Sequence, residues 1–402
     1  MPERADSSAG WMVRRGVKAV MAGALCVAGA RTLIRSVRRR KAGGARVLIL
    51  SYHRIAADFP SASRTGLSSL FVSTRTLVRQ LEQLGREREL VSLADACRLL
   101  SEPTPRRRRA RDVAVVTFDD GYASCHALGL PVLQRLRVPA SIFVATGYVG
   151  TARRLPHDRL WASLCELERR AIPLERAGLR RPLQQLLEAC AEPGPAATLD
   201  RLIARLGHDE LIAVAGALEA RAGQRESDLP DSTRILSWDE LRELAAAGVD
   251  VGGHTVHHTV LSNIPASRAS AEITGCRDEI SLHLGAPPRH FAYPNGYHTP
   301  AVRRMLAAAG FRAAVTTEDT ENQRGGDLFR LRRKSLWENS TLGALGYSPW
   351  LAACNLDGVF GTLGWVRPVP GERPDAPDPS EPSADPLPSP PQAPAEPERA
   401  AG

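Results

Sequence analysis

Residues 113–124 read VAVVTFDDGYAS, and the fold turns on how that stretch is taken. Val113 to Phe118 is an uninterrupted run of apolar and β-branched residues, the pattern of a strand covered on both faces. It ends on two adjacent carboxylates, Asp119 and Asp120, followed by Gly121. Like charges that close repel, and the repulsion raises the pKa of at least one of them. By itself Asp-Asp-Gly is most often a turn. At the end of a buried strand, a nearby cation accounts for the pair better.

Outward from this strand the pattern alternates. RVLILSY (46–52), PASIFVA (139–145), VDVGG (249–253), HFAYP (290–294) and FRAAVT (311–316) read as further strands. TRTLVRQLEQLG (74–85), LGLPVLQRL (128–136) and the long segment 266–285 carry helical spacing. SWDELRELAAAG (237–248) adds a capping box, Ser237 to Glu240, with Gly248 at its end. TPAVRRMLAAAG (299–310) opens with Thr299 as cap and Pro300 at the first helical position. Strand and helix in turn predict an α/β fold, a parallel sheet wrapped in helices and either open or closed into a barrel. Residues from about 152 to 233 break the alternation and read as a helical insertion between two strands.

The chain has 402 residues, 43% of them hydrophobic, enough for one large core over residues 46–345. The net charge of +9 is unevenly placed: ten Lys and Arg fall in the first 44 residues, against Glu3 and Asp6. The basic balance therefore belongs to an N-terminal arm (1–45) and not to a nucleic-acid footprint of the folded domain. Within that arm, WMVRRGVKAVMAGALCVAGARTLIRSVRRRK (11–41) holds an apolar run too short to span a bilayer as a helix. Three readings stay open: a membrane-surface helix with Trp11, Val17, Met21 and Leu33 on its apolar side, a signal peptide, or a plain basic leader. The extension 346–402 becomes proline-rich from about residue 367, which predicts a disordered tail. Seven scattered cysteines form no C-x-x-C pair, which argues against a disulfide framework and a cysteine zinc cluster. They favour a cytoplasmic or membrane-associated setting, with export through an atypical N-terminal signal still open.

The chemistry sits at strand ends. Asp119 and Asp120 follow one strand; His254 and His258, four apart in GGHTVHHTVLS, follow another; Pro294-Asn295-Gly296 follows a third. In a parallel barrel all these ends share one rim. Two histidines and one carboxylate are a three-ligand set for a zinc-type ion with a position left for water. The second carboxylate is then free to act as a base. No G-x-S-x-G elbow and no Gly-rich phosphate loop ending in Lys is present.

TFDDGY (117–122), HTVHH (254–258) and FAYPNG (291–296) resemble the first three motifs of the polysaccharide deacetylases, the NodB-homology or carbohydrate esterase 4 family. ILSYHRI (49–55), FVATGYVG (143–150) and DLFRLRR (327–333) resemble its branch acting on exported polysaccharides. The resemblance spans about 46–336. It implies a distorted, incomplete (β/α) barrel and a divalent ion, Zn2+ or another transition metal, held by Asp120, His254 and His258. It also implies Asp119 as general base and the backbone N–H of Asn295 as oxyanion donor. The reaction implied is removal of an N-acetyl, or less often O-acetyl, group from a polysaccharide. His257 is expected to point elsewhere.

Two positions depart from the pattern. Ala292 stands where much of the family has an arginine tethering the catalytic Asp; Arg330 or Arg332 is the expected substitute. The family's late Leu-x-His is absent after residue 300, and His53 in SYHR is the expected general acid. His126 begins a helix, His157 opens the insertion, and His208, His283, His290 and His298 lack partners at ligand spacing, so all are poorer candidates. Two rivals remain: a C–N hydrolase for small molecules or lipid-linked sugars on the same scaffold, and a non-catalytic sugar-binding homologue.

Overall fold

The computed structural model describes residues 8–41, 46–102, 111–175, 177–363 and 371–373. Seven parallel strands form the main path of one sheet: β1 (Val47–Tyr52), β2 (Val113–Phe118), β3 (Ala140–Val144), β4 (Asp250–Gly253), β5 (His290–Ala292), β6 (Ala313–Val315) and β7 (Arg333–Ser335). The spatial order is β7-β1-β2-β3-β4-β5-β6. A short strand, Glu89–Leu90, pairs beside β2. The two ends of the sheet nearly meet through Leu331, whose N–H donates to Ala314 O at 2.9 Å and whose carbonyl accepts from Thr316 N at 2.7 Å. The sheet is thus a distorted (β/α) barrel, almost closed.

Strand parity decides what the barrel holds. Ile49, Val115, Phe143, Ala292, Val315 and Leu331 share one buried cluster that draws on strands around the whole sheet, the barrel interior. Their neighbours Leu48, Leu50, Val116 and Ile142 pack outward against Leu77, Leu81 and Leu84 of the helix Thr74–Glu87 and against Leu241, Leu244 and Ile280. Each such leucine is worth about 2–5 kcal/mol against truncation to Ala. The interior is tight: a Cβ on Gly252 would lie 2.6 Å from the Phe143 ring, so only glycine fits there. The same parity carries Thr117 and Asp119 beyond Val115, Ser51 and His53 beyond Ile49, and Arg333 of β7, which pairs with Ile49. These polar residues continue the interior face at the rim.

The caps read from sequence are present. Ser237 Oγ accepts from Glu240 N at 3.2 Å while Glu240 Oε2 accepts from Ser237 N at 2.7 Å, and Thr299 Oγ1 accepts from Val302 N at 3.2 Å. The insertion between β3 and β4 is four helices, Pro156–Arg169, Arg181–Cys190, Pro195–Arg205 and His208–Ala222, with their own leucine core.

The N-terminal arm is two helices, α1 (Ser8–Val27) and α2 (Ala30–Lys41), bent by 67° at their junction. Three arginines of α2 are turned into the protein, while Arg40 is exposed. Arg31 pairs with Asp357 at 2.7 Å and with Glu87, Arg35 approaches Glu87 and Asp112 at 3.5 Å, and Arg38 Nη1 donates to Asp357 O at 2.8 Å. Buried or half-buried carboxylates on the barrel attract them inward. Most of the expected proline-rich tail lies outside the described residues. Gly371–Arg373 is bonded to the barrel: His298 N donates to Gly371 O at 3.1 Å and Arg373 N to His298 O at 2.9 Å. All seven cysteines are free thiols.

Candidate metal centre and active site

Asp120, His254 and His258 meet although 134 residues separate the first from the second in sequence numbering (254 minus 120). Asp120 Oδ1 lies 3.0 Å from His258 Nε2 and 3.4 Å from His254 Nε2. One ligand atom from each residue falls within 4.8 Å of the others, the spacing of groups that share one ion. The second shell fits as well. His254 Nδ1 lies 2.7 Å from the carbonyl of Ala292, a pure acceptor, so Nδ1 carries a proton and Nε2 is the atom turned to the cluster. The donor set therefore suits a zinc-type cation.

The backbone here is strained. Six non-glycine residues adopt positive φ among those described, and four are at this rim: Asp120 (73°), Thr255 (65°), His258 (55°) and Asn295 (55°). Left-handed backbone costs a non-glycine residue roughly 1–2 kcal/mol. Its concentration at two ligands and the third-motif loop marks a site where geometry outranks stability. Thr255 Oγ1 accepts from Thr259 N at 3.0 Å and helps hold the His254–His258 loop. His257 points away, its Nδ1 on Glu272 Oε1 at 2.7 Å.

Asp119 faces a different partner. Arg333 is fully buried and grips it as a fork, Nη1 to Oδ1 at 2.7 Å and Nη2 to Oδ2 at 2.6 Å. The same guanidinium donates to Thr117 Oγ1 at 3.0 Å and through Nε to Thr316 O at 2.8 Å. This corrects the expectation of Arg330 or Arg332. Both of those bond Glu318 at 3.1 Å, because Arg332 lies on the other face of the β7 segment and Arg330 in the turn before it. Burial pushes the Asp119 carboxyl up, but the Arg333 charge and hydrogen bonds more than offset it and hold the group below its ordinary value. For Asp120, too, burial pushes up, and His258 and His254 reverse it, leaving the carboxyl well below the usual range. Both carboxylates are ionised, and the repulsion between them is answered by a guanidinium on one side and the histidine cluster on the other.

His53 follows β1 on the interior face, within electrostatic range of Asp119, Asp120 and His254. Burial lowers its pKa despite those carboxylates. Asn295 sits in the Pro294–Gly296 turn after β5, exposed, its carbonyl accepting from Thr317 Oγ1 at 3.1 Å.

One residue escaped the sequence reading. His157, in the first turn of the insertion's first helix, is buried with Nε2 3.9 Å from Asp120 Oδ2 and 2.6 Å from the Tyr122 hydroxyl. Its ring centroid is 5.1 Å from that of His258. Tyr122 donates to Asp158 at 3.0 Å and accepts from Arg54 at 2.8 Å, and Arg54 also pairs with Asp158. His157, read from sequence only as the residue that opens the insertion, is therefore bonded at the rim. The insertion returns its first helix onto the rim, and no spacing rule foretells that. The only sequence signal was Pro156, which starts a helix immediately before His157 and Asp158.

The family model described as polysaccharide deacetylase matches residues 106–314, just over half of the chain. That span contains Asp119, Asp120, His254, His258 and Asn295, and leaves out His53 and Arg333. Among curated proteins no match is found. Among solved structures, IcaB from Ammonifex degensii is 20% identical with a TM-score of 0.49, over 78% of this chain and 98% of that one. The deacetylase PplD of Streptococcus pyogenes, in complex with acetate, is 16% identical with a TM-score of 0.48, over 75% and 96%. The BpsB deacetylase domain of Bordetella bronchiseptica is 16% identical with a TM-score of 0.44, over 73% and 96%. By its family match, this chain belongs to the polysaccharide deacetylases, hydrolases that remove acetyl groups from carbohydrate.

Proposed function

We propose that the chain is a divalent-metal-dependent deacetylase that takes N-acetyl groups, or less often O-acetyl groups, from a bacterial-type surface or extracellular polysaccharide. The observation that carries this reading is the convergence of Asp120, His254 and His258 with Asp119 held apart by Arg333. A zinc-type ion in that set would polarise the acetyl carbonyl and lower the pKa of a water beside it. Asp119, kept ionised and aimed by Arg333, accepts the proton from the attacking water. The backbone N–H of Asn295, in its left-handed turn, donates to the oxyanion. The departing amine needs a proton, and His53 on the interior face is the group assigned to supply it.

A lipid-linked sugar or another small amide on the same scaffold is the second reading. The test is metal analysis of the purified chain together with acetate release on a panel of N-acetylated glycans, polymeric and lipid-linked. Stoichiometric metal and release from polymer are expected. Release from the lipid-linked monosaccharide alone would select the second reading. A protein without bound metal and without acetate release would be the sugar-binding homologue. Asp119→Asn is expected to keep the metal and lose turnover, and full turnover in that variant would refute the base assignment.

A further inference from the structure

Ten large apolar side chains are exposed among the described residues, and nine lie on two stretches packed against each other. On the N-terminal side, α1 exposes Val17, Val20, Met21 and Val27, and α2 exposes Leu33 and Val37. On the other side, the segment 342–363 exposes Leu345, Trp350 and Leu363. Leu282 is the remaining one.

α1 is built inside out for a water-soluble protein. Its inner face is mostly small, Gly16, Ala19, Ala22, Gly23 and Cys26, with Leu25 the one large residue packed inward. Ala22 is fully buried, a Cβ on Gly16 would lie 3.5 Å from Ala344, and Cys26 Sγ lies 3.6 Å from Cys354 Sγ. Its outer face carries Val17, Val20, Met21 and Val27 at helical spacing, with Lys18 and Ala24 beside them, all exposed. An amphipathic helix in water buries its large apolar residues. Small residues inward and large apolar residues outward is how helices pack where the surroundings are hydrocarbon.

Charge points to the same surroundings. A groove bordering this face is lined by Arg15, Arg64, Arg75 and Arg79 together with Leu345 and Tyr347. Its one carboxylate, Glu338, is already taken by Ser73 N and Thr76 Oγ1, each at 2.7 Å. The groove is therefore cationic and edged by apolar residues, the complement of a phosphate headgroup over acyl chain. Among the described residues no single helix is long and apolar enough to cross a membrane, and the 67° bend between α1 and α2 suits a pair lying in the interface.

We propose that this face seats the protein on an anionic phospholipid bilayer, α1, Leu33 and Trp350 reaching the acyl boundary and the groove arginines meeting headgroup phosphates. The inference is independent of the deacetylation reading. It differs from a basic helix resting on charge alone, because Arg31, Arg35 and Arg38 are turned into the protein.

The test is flotation of the full chain with vesicles of phosphatidylcholine, with and without phosphatidylglycerol. Binding is expected to both, tighter to the anionic vesicles. Val20 and Val27 are 73% and 81% exposed, so Val20→Asp/Val27→Asp keeps the fold, checked by a circular-dichroism melt. Its partition should fall by more than roughly a hundredfold. Arg75→Glu/Arg79→Glu should erase the anionic preference, about fivefold per arginine, and retain binding to phosphatidylcholine. A wild-type chain that stays in the lower fraction overturns the proposal, as does flotation untouched by the valine substitutions. So does a concentration-dependent dimer, without vesicles, that the same substitutions dissolve, since the face would then cover a second copy.

Discussion

The active rim has two halves that are built differently. The ligand half, Asp120, His254 and His258 with Asn295 nearby, lies in the segment matched by the family and is placed by unusual backbone: three of the four have positive φ. The supporting half, His53, Arg333 and His157, comes from β1, β7 and the insertion, on backbone with no positive φ. Its side chains are placed by charge and hydrogen bonds instead. Where backbone aims a ligand, removing the side chain leaves the frame standing. Where a buried charge aims a partner, removing it leaves the partner unpaired.

The comparison breaks most sharply at Asp120. Asp120→Asn keeps a residue that tolerates left-handed backbone, so the fold should hold. Metal content and acetate release should both vanish, read by elemental analysis and product assay. Retention of the metal at wild-type affinity would show that the ligand half is not what the geometry indicates. In the supporting half, His53→Ala should lower kcat by roughly 10²–10⁴ with metal content unchanged. An unaltered rate would remove His53 from the reaction.

Arg333 tests the other side of the contrast. Arg333→Met leaves the Asp119 carboxylate buried without a partner and should cost about 3–5 kcal/mol in denaturant unfolding. Adding Asp119→Asn should restore much of that stability, because the orphaned charge is gone; additive losses would contradict the charge-placed view. Arg333→Lys should rescue poorly, since an ammonium cannot supply the two-pronged bond.

His157 should weigh less. It supports Asp120 and His258 from behind without being among the three converging ligands, so His157→Ala should weaken zinc affinity by about 10–100-fold in a competition titration. Tyr122→Phe should move the affinity in the same direction by less, because it loosens His157 and leaves it in place.

Legibility in the sequence divides along the same line. Strands 47–52, 113–118 and 140–144 were readable from continuous apolar runs, and the converging Asp120, His254 and His258 from motif residues at strand ends. Those signals are local. The tether was not readable, because Arg330, Arg332 and Arg333 are neighbours in one basic run and only β7 register against Ile49 says which faces inward. His157 was hidden for a similar reason: its partners lie on β2 and β4 loops, and the insertion's packing brings them together. The arm's arginines looked like a basic outward face because sequence shows charge and not the buried Asp112 and Asp357 that draw it in.

Legibility and energetic weight need not agree, and the capping box at Ser237 makes the point. Its residues were plain in the sequence, and the helix they open leads into β4, which carries His254. Hydrogen bonds from Arg234, with help from Ser237 N, outweigh burial and lower the Glu240 pKa from 4.5 to about 2. A depressed carboxyl stabilises the folded chain above its unfolded pKa, and that contribution fades as pH falls through the folded value. Glu240→Ala should therefore cost only about 1 kcal/mol, discounted for a partly exposed pair, at neutral pH. The difference from wild type should shrink from pH 4.5 downward and be gone near pH 2, read in urea midpoints across that range. A penalty that persists unchanged in acid would mean that Glu240 acts by packing and not by charge. The most readable feature near the site would then move stability least, while Arg333, unreadable among its neighbours, moves it most.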